Sequence, residues 1–584
     1  MFCPIGSHGS KVTRSPFRLS GLIGLGLVLI LGWSELSQAA DYHFCDCRAG
    51  AASTCVVGSD QTGNGSPAQP WQSMKQAQTR FRMMSAGDSI RLCEGGSFRA
   101  DNIDSDWDNA RCRAENRCRI EAYTPPEGPV DGPSPLIRKK RGAMFNFSER
   151  RGPPTRGVDI YRIDFICEAC DGAHQGIRVA DGAGDMTFDQ ITLDGFMINL
   201  YVRHTGAAQS NVTLKNSRIL NGIRQGILGG SPNMQILDNY FENNGGLRHI
   251  YDHTIYLSGD WKETGPEIPY NMVIRGNEIY KTSQVGGSCA GSAIVGHGYL
   301  NGIIVEENFI HEDTGTANRA CFGIDFTPAH KDVEKIQNIV VRRNLISNMG
   351  GVSVWLGATR NSLIEDNVII DQSLAHSRMG IYLKDFDEKG GYKNEDVTIR
   401  NNSVYFADSP RARFVQLDPG ARGAVIANNA IYIGNAGDRG YCFRLNASSV
   451  SQMDNNLCLI TGSAKDHWVS SVGTLAEWTA ETGFDRDSIM GLNPDFKDPA
   501  TLNLAPASDA SPLVGAGAPG LASSSAMPAC EARKGEWVGS CGPTPVRGTD
   551  PDIGAYQLNA SGVVAKPPAA PVLLPLTQPD TAAQ

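Results

Sequence analysis

The 584-residue chain has no dense block of lysine and arginine, no long apolar run and no short glycine period. Its net charge of −9 and scattered basic residues argue against a nucleic-acid partner, because nucleic-acid-binding proteins carry basic patches. Its 65 glycines lack a Gly-x-x period, which excludes a collagen-like chain and indicates many turns. No segment after residue 39 approaches about 18 consecutive apolar residues, so we expect a mature chain without a membrane span. We also expect a monomer.

The N-terminus has the layout of an export signal. Residues 1–20 carry three basic residues and no acidic one, and residues 21–33 form an apolar run of 13 residues. Small side chains then occupy the two positions that a signal peptidase reads, which predicts cleavage after Ala39. An uncleaved anchor is the alternative, although a bilayer needs ~20 apolar residues. We therefore predict a signal peptide over residues 1–39 and a secreted or periplasmic mature protein.

The cysteines indicate the same oxidising compartment. Loss of Cys3 with the signal reduces the 15 cysteines to an even number, so up to seven disulfides are possible, with connectivity left open. Most of the remaining cysteines fall in local groups: Cys45, Cys47 and Cys55; Cys112 and Cys118; Cys167 and Cys170; Cys442 and Cys458; Cys530 and Cys541. Cys167 and Cys170 form a CxxC motif, for which zinc is the alternative, but no second pair lies at zinc spacing.

A repeat begins at about residue 175. Each unit has an apolar strand, a loop of variable length, a second apolar strand and then one of nine asparagines: Asn216, Asn239, Asn277, Asn308, Asn344, Asn367, Asn402, Asn429 and Asn456. Spacings of 23 to 38 residues around a constant strand core are typical of a solenoid, whose turns bury their apolar faces by stacking. An asparagine at each corner can adopt αL geometry and bond its amide to the next, forming a ladder. The frames of β-propellers and leucine-rich repeats are missing.

Segments at both ends of the repeat carry a family resemblance. Residues 63–73 and 86–92 at the entry, and residues 493–496, 507–513 and 552–556 at the exit, together with the repeat resemble the secreted pectate-lyase-like group. This group includes pectate and alginate lyases, mannuronan carbon-5 epimerases and polygalacturonases, and the resemblance covers roughly residues 41–557. It implies an all-β, right-handed parallel β-helix solenoid with an N-terminal capping helix at about residues 71–83 and an asparagine ladder.

The repeat, the resemblance and the composition together divide the chain into segments. These are an N-terminal cap with the first coils and disulfides over residues 41–174, a β-helix core over 175–460, a C-terminal capping segment over 461–557 and an Ala/Pro-rich disordered tail over 558–584.

The first strand of each repeat can be aligned on one central apolar residue: Ile177, Ile227, Ile255, Ile294, Ile324, Val354, Ile381, Val415 and Phe443. Side chains alternate across a strand, so the next residue and the third one on face outward if the central residue points inward. One outward face then stacks aromatic and ionic side chains: Tyr256, Trp355, Tyr382, His297, Asp325 and Lys384. Such a groove suits an oligosaccharide, although a register shift of one residue would reverse the whole set.

The densest titratable cluster lies just before the third of these strands and comprises Arg248, His249, Tyr251, Asp252, His253 and Tyr256. It resembles the Tyr, Asp and His cluster of mannuronan epimerases and lyases, without their Asp-Pro-His order. The resemblance implies that Asp252, His253 and Tyr256 are catalytic and that His249 and Tyr251 flank them. In the alternative interpretation, His253 caps a turn and Asp252 fixes a loop.

These residues suggest a chemistry. The proton at carbon 5 of a uronate is acidic only when the adjacent carboxylate is neutralised, and Lys384 or Arg248 could neutralise it. His253 or His297 could then abstract the proton near neutral pH, and Tyr256 could donate one. We predict catalytic roles for Asp252, His253, Tyr256, His297 and Lys384. We predict substrate-binding roles for Arg248, His249, Tyr251, Asp325, Trp355 and Tyr382.

Calcium is the cofactor that the resemblance implies, because many β-helix lyases use it to neutralise the carboxylate. Candidate oxygen ligands, outside any defined calcium loop, are Asp325, Asp385, Asp387 and Glu388. The predicted function is therefore β-elimination or carbon-5 epimerisation of a polysaccharide. An inverting glycoside hydrolase, with two carboxyls about 6.5–9.5 Å apart, and a non-catalytic glycan-binding solenoid are the alternatives. For the hydrolase, Asp325 would pair with Asp252 or Asp385.

Overall fold

A computed structural model describes most of the chain from residue 39 to residue 558. The described residues are 39–49, 51–53, 55–126, 132–148, 153–170, 172, 174–203, 211–259, 270–329, 334–373, 378–386, 393–463, 467–470, 472–528 and 542–558. The predicted signal peptide (except Ala39), the predicted tail beyond Leu558, and five residues named above lie outside them: Cys3, Cys530, Cys541, Asp387 and Glu388.

A short helix, Met74–Met83, follows the first strand. The Ser73 side chain accepts a hydrogen bond from the Gln76 backbone N–H and caps the helix start, and Phe81 is fully buried on its inner face. The predicted N-terminal capping helix is therefore present and begins three residues later than expected. A second helix, Leu475–Thr482, starts in a capping box at Thr474, and the remaining helices are short 3₁₀ turns: Gly437–Arg439, Ala447–Ser449, Pro499–Thr501 and Pro519–Leu521.

Three long parallel sheets, here named A, B and C, form the sides of the solenoid, and each full coil passes through them in turn. Sheet A contains the strands Asp41–Phe44, Ser89–Cys93, Cys118–Tyr123, Arg156–Tyr161, Gly184–Asp189, Val212–Lys215, Gln235–Leu237, Met272–Arg275, Leu300–Glu306, Ile336–Arg342, Thr359–Glu365, Glu395–Arg400, Ala424–Ala427 and Val450–Asp454. Sheet B contains Ser97–Arg99, Leu136–Lys139, Asp164–Cys167, Thr192–Asp194, Arg218–Leu220, Tyr240–Glu242, Glu278–Tyr280, Phe309–His311, Leu345–Ser347, Val368–Asp371, Ser403–Phe406, Ala430–Ile433, Leu457–Ile460 and Ile489–Met490.

Sheet C contains the strands Phe145–Phe147, Gln175–Val179, Ile198–Arg203, Gln225–Gly230, His253–Ser258, Ser292–His297, Phe322–Phe326, Val352–Gly357, Met379–Lys384, Arg413–Leu417 and Tyr441–Arg444. Two small antiparallel pairs complete the set of strands: Gln284–Val285 with Ser288–Cys289, and Phe496–Asp498 with Asn503–Pro506.

The predicted alignment of the first strands is the register of sheet C. All nine central residues are fully buried, and each pairs with the next along the solenoid except at one coil. There the prediction omits the strand Ile198–Arg203, whose Leu200 pairs with both Ile177 and Ile227.

The asparagine ladder is confirmed over eight coils. From Asn239 to Asn456, each side-chain amide donates to the Oδ1 of the next asparagine at 2.9–3.0 Å. Asn216 was wrongly placed in this ladder: Ser217 occupies the position, and its backbone N–H donates to Asn239 Oδ1. The αL backbone belongs to the residue before each ladder asparagine and not to the asparagine itself: Asp238, Gly276, Glu307, Arg343, Asp366, Asn401, Asn428 and Asn455.

The described cysteines form six disulfides: Cys45–Cys93, Cys47–Cys55, Cys112–Cys118, Cys167–Cys170, Cys289–Cys321 and Cys442–Cys458. The CxxC pair is thus a disulfide and does not hold zinc, and Cys45 pairs outside its local group. None of the helices in the described part of the chain is long and apolar enough to cross a membrane.

The C-terminal segment folds back along the outer face of sheet B. Its Leu504 and Met527 pack into one apolar cluster with Val368 from the middle coils. Arg547 forms a buried ion pair with Asp366 at 2.8 Å, and its remaining N–H groups donate to backbone carbonyls. This segment therefore covers part of the outer face of sheet B, whereas a cleft lies over sheet C.

Candidate active site

A bend repeated in every full strand of sheet C decides which side chains face outward. On two neighbouring strands, Gln225 pairs with His253 and Ile227 pairs with Ile255. Thr254, which lies between the two paired residues of its strand, has no pairing partner in this register. Thr254 and Ile255 are both fully buried, so the alternation of side chains is interrupted there. His253 and Tyr256, three residues apart, therefore line the same cleft.

The cleft has a volume of about 1120 Å³ and lies over sheet C, from the strand Ile198–Arg203 to the strand Val352–Gly357. Seven of the predicted site residues line it: Arg248, Tyr251, His253, Tyr256, His297, Asp325 and Trp355. The prediction missed other polar residues of the lining, among them Arg203, Arg224, Gln225 and Ser292. Gln225 and Ser292 stand at the position of His253 in their strands, so an alignment that allowed for the bend would have found them.

The hydrogen bonds of His253 fix its tautomer. The backbone N–H of Ser292 donates to His253 Nδ1 at 3.0 Å. Because a backbone N–H can only donate, the neutral ring carries its proton on Nε2. Burial lowers the pKa of His253 to about 3, with smaller contributions from His297 and Arg248. His253 is therefore neutral at physiological pH and can donate a hydrogen bond into the cleft, which does not fit the base role expected from the sequence.

His297 has the opposite tautomer. Its Nδ1 contacts the backbone carbonyl of Thr327 within hydrogen-bonding distance. A carbonyl oxygen can only accept, so Nδ1 carries the proton and Nε2 carries the lone pair of the neutral ring. His297 is buried except for its cleft-facing edge. Of the two predicted bases, His297 therefore has the tautomer that can take up a proton at Nε2.

Tyr256 lies between the two imidazoles. Its ring centroid is 5.6 Å from that of His253 and 5.3 Å from that of His297. Burial raises the pKa of Tyr256 to about 12, and the nearby carboxyls Glu334 and Asp325 add to the effect. Its hydroxyl is consequently protonated at neutral pH and is able to act as an acid.

Asp325 connects the two histidines through its neighbours. Thr327 Oγ1 donates to Asp325 Oδ1 at 2.8 Å, and Ser292 Oγ donates to Oδ2 at 3.4 Å. Ser292 also bonds His253 through its backbone, and Thr327 bonds His297. Desolvation raises the pKa of Asp325 to about 7, against the lowering effect of these two hydroxyls. The carboxyl therefore changes charge close to neutral pH within a network that holds both rings.

Three arginines line the cleft, Arg203, Arg224 and Arg248, although the whole chain carries a net charge of −9. Arg203 ends its strand of sheet C, in register with Gly230, whereas Arg224 and Arg248 precede the starts of their strands, so Arg203 lies at the opposite edge of the cleft from the other two. The carboxylate of Asp252 is fully buried behind them and accepts from Arg224 Nε at 3.2 Å and from Arg248 Nη2 at 2.9 Å. Asp252 thus orients two arginines, as in the loop-fixing alternative, and does not itself line the cleft. Tyr251 is exposed on the loop beside Arg248.

Three predicted site residues lie away from His253 and His297. His249 is exposed and does not line the cleft. Tyr382 and Lys384 belong to the strand four places along sheet C from that of His253, which is about 19 Å at the usual strand spacing. Lys384 and His253 are therefore too far apart to act on one sugar residue. Tyr382 instead stacks on Trp355, with ring centroids 5.7 Å apart.

The described carboxyls of the cleft do not fit calcium. Ca²⁺ takes roughly six to eight oxygen ligands. Asp325 is the single carboxyl among the described lining residues, and Asp252 is already engaged by two arginines. Asp385 accepts a hydrogen bond from the backbone N–H of Gly420 at 2.7 Å. It follows Lys384 in the chain and does not line the cleft. In the described part of the chain, the groups with metal-ligand spacing all contain disulfide-bonded cysteines: Cys45, Cys55 and Cys93, and Cys289, Glu312 and Cys321.

Comparisons with known proteins agree with the fold. The family model for right-handed beta helix regions matches residues 316–458, and no curated protein matches the chain. Similar solved structures include pectate lyase Pel9A, with 10% identity over 90% of this chain and 98% of that chain and a TM-score of 0.35. They also include the PL6 family alginate lyase AlyGC, with 12% identity over 68% of this chain and 52% of that chain and a TM-score of 0.38.

A third similar structure is the catalytic domain of a GH87 alpha-1,3-glucanase, with 12% identity over 77% of this chain and 70% of that chain and a TM-score of 0.37. The protein is a right-handed parallel β-helix, as its repeat predicts. A fold does not determine an activity, and the chemistry of a protein follows from the residues of its own site.

Proposed function

We propose that the protein is a secreted carbohydrate-active enzyme that removes the carbon-5 proton of a uronate residue in a polysaccharide, leading to β-elimination or epimerisation. The observation that carries the proposal is the pair of opposite histidine tautomers around the protonated Tyr256. The six disulfides are consistent with an oxidising compartment outside the cytoplasm.

The first requirement is neutralisation of the uronate carboxylate. Arg224 and Arg248 supply positive charge at the edge of the cleft where the strands start, and Arg203 supplies it at the edge where they end. A guanidinium can hold a carboxylate through two parallel hydrogen bonds. This local charge explains how a chain with a net charge of −9 can bind a polyanion. In this proposal the arginines neutralise the uronate carboxylate, which is the role that the sequence suggests for calcium or Lys384.

The second requirement is proton transfer. His297 Nε2 takes the proton from carbon 5, and the electron pair of that C–H bond forms a double bond to carbon 4 as the bond from carbon 4 to the glycosidic oxygen breaks. Tyr256 gives its proton to the departing oxygen. In epimerisation no C–O bond breaks, and a proton returns to carbon 5 on the opposite face. Both routes are redox-neutral and need no further reactant.

His253 would stabilise the charge that develops between these steps. Removal of the proton places negative charge on the uronate carboxyl oxygens, and a preorganised N–H donor in a desolvated site stabilises such charge. His253 Nε2–H is such a donor, because the Ser292 backbone holds the ring in place and burial keeps it neutral. Its role is therefore that of a hydrogen-bond donor.

An inverting hydrolase is the second candidate. The raised pKa of Asp325, about 7, favours it as a general acid. Inversion also needs a second carboxylate as base, and the described lining contains one carboxyl. The raised pKa alone supports this candidate, whereas proton abstraction is supported by the tautomers, by Tyr256 and by the arginines together.

The experiment is incubation of the purified protein with polymannuronate, polyguluronate and polygalacturonate. We expect either the ultraviolet absorbance of an unsaturated uronate or a change in the sugar epimer ratio by NMR. New reducing ends without unsaturation would favour the hydrolase. Retention of a polymer without any product would favour a glycan-binding solenoid, and neither binding nor change with any polymer would contradict the proposal.

A further inference from the structure

The outward columns of sheet C continue past the cleft. After Trp355, the next residues in register are Tyr382, Gln416 and Arg444. In the column of His253, Arg413 pairs with Tyr441 on the next strand. The last strands of sheet C therefore place aromatic and cationic side chains beside one another, outside the residues that line the cleft.

Aromatic contacts connect this region to the cleft. Trp355 lines the cleft and also stacks on Tyr382 at an interplanar angle of 19°. The ammonium of Lys384 lies 6.0 Å from the Trp355 ring centroid and 4.5 Å from that of Phe386. Stacked aromatic rings thus connect the cleft to the strand that carries Lys384, and exposed parts of aromatic side chains are suitable contacts for sugar rings.

The two arginines of the last strands have no counter-charge among the described residues. Arg413 is partly buried, and its Nε, like Gln416 Oε1, has no hydrogen-bond partner there. Arg444 is exposed on the adjacent strand and close enough to contribute to the lowered pKa of Arg413, whose main cause is desolvation. Asp418, which follows the strand of Arg413, accepts hydrogen bonds from the Tyr382 hydroxyl and the Asp385 backbone. Two neighbouring cations that have no carboxylate partner among the described residues are stabilised by a bound anion.

We infer that Arg413 and Arg444, here named the distal patch, bind a carboxylate of the same acidic polysaccharide chain whose reacting residue lies in the cleft. The choice of a uronate chain rests on the proposed function. Arg413 stands five strands from Tyr256, which is about 24 Å at the usual strand spacing. A short oligosaccharide in the cleft would not reach the distal patch, and a long one would.

The test is binding of oligomannuronates and oligogalacturonates of increasing length to an Arg413→Gln/Arg444→Gln variant, measured by calorimetry in the His297→Gln background to prevent turnover. We expect equal affinity for short oligomers and roughly tenfold weaker binding of long ones, because two charge-assisted contacts are lost. The control variant, Arg119→Gln/Arg218→Gln, removes the same charge from exposed positions in sheets A and B and should bind long oligomers normally. If the double variant fails to fold, Arg444→Gln alone replaces it, because Arg444 is exposed. This single variant should show a smaller loss of affinity for long oligomers.

The outcomes separate this inference from the proposed chemistry. Equal affinity of the double variant and the control at every length would overturn the distal patch, whether or not the enzyme turns over a polyuronate. A length-dependent loss without any turnover by the parent protein would support the patch and contradict the chemistry. Dextran oligomers serve as the neutral probe, and equal losses with dextran and uronates would also overturn the inference, because the contact would then not depend on charge.

Discussion

The ladder corner between sheets A and B and the cleft over sheet C both present polar side chains at a fixed position of successive coils. In the ladder the same residue recurs, and each amide satisfies its neighbour: Asn344 donates to Val305 O and Asn367 Oδ1 and accepts two bonds from Asn308. In the cleft the residue changes from coil to coil. There the polar groups include atoms without a described partner, such as Gln225 Oε1 and Trp355 Nε1.

The difference shows how one scaffold separates stability from chemistry. A repeated, fully bonded side chain stabilises the stack, since each buried amide has its partners supplied by the adjacent coils. A varied column instead places different groups side by side, so that Asp325 adds to the raised pKa of Tyr256 and His297 adds to the lowered pKa of His253, and it leaves donors and acceptors for a ligand. Substitutions in the cleft should therefore change activity, and substitutions in the ladder should change stability.

The largest expected effect is that of His297→Gln on turnover. Loss of a general base lowers kcat by roughly 10²–10⁴-fold, and we expect a value in this range with little change in KM. Steady-state kinetics on the polyuronate identified as substrate measures it. His249→Gln is the matched control, because His249 is exposed outside the cleft, and it should stay within about twofold of the parent. Equal losses in the two variants would contradict the role of His297.

The second effect is a pH-dependent stability difference between the parent protein and Asp325→Asn. The folded pKa of Asp325, about 7, is above the ordinary value of 3.8, so the folded state binds more protons between these values. The parent should therefore lose stability relative to Asp325→Asn as pH rises from 4 to 7, by at most roughly 4 kcal/mol. Urea unfolding at pH 4, 5.5 and 8 measures the difference. A difference that stays constant with pH would show that Asp325 ionises normally.

The third effect compares a ladder asparagine with Asn216, which lies outside the ladder. Asn344→Ala leaves buried groups of neighbouring coils unpaired, which should lower the free energy of unfolding by roughly 2–3 kcal/mol and leave kcat of the folded enzyme unchanged. Asn216→Gly removes one exposed bond to Asp189, tolerates the αL backbone at this position and should cost less than about 1 kcal/mol. Similar losses for the two variants would mean that the ladder contributes no more than surface polar contacts.

The smallest effect is that of Trp355→Phe. The substitution keeps an aromatic face in the cleft and removes the indole N–H, which has no described partner. If that N–H donates to the substrate, KM should rise by roughly fivefold while kcat stays the same, as for the loss of one hydrogen bond. A large fall in kcat would instead place Trp355 in the chemical step.

The fold could be predicted from the sequence because repetition amplifies a weak signal. Nine asparagines and nine central apolar residues defined the coil, and errors arose where a coil departed from the rule, at Asn216 and at the omitted strand of Leu200. The site was predicted less completely. Strict alternation found Tyr256, His297, Asp325 and Trp355 but not Gln225 or Ser292, because the bend before each central residue reverses the alternation.

Roles within the site depend on contacts that a sequence does not contain. The backbone groups of Ser292 and Thr327 assign the protons of the two histidines, and both belong to coils other than those of the rings they bond. The burial of Asp252 behind two arginines is likewise a property of stacking. Proximity along the chain therefore favoured His253 and Asp252 as catalytic residues. In the folded protein, His297 of the next coil lies beside Tyr256, whereas Lys384 lies several coils away.

The central claim is that the cleft removes the carbon-5 proton through His297. NMR of a polyuronate incubated with the enzyme in D₂O tests it most directly. The account predicts that the H5 signal is lost, through unsaturation or through exchange with deuterium, and that it persists with His297→Gln. Cleavage of the chain with H5 fully retained, or loss of H5 at the same rate with His297→Gln, would contradict the claim.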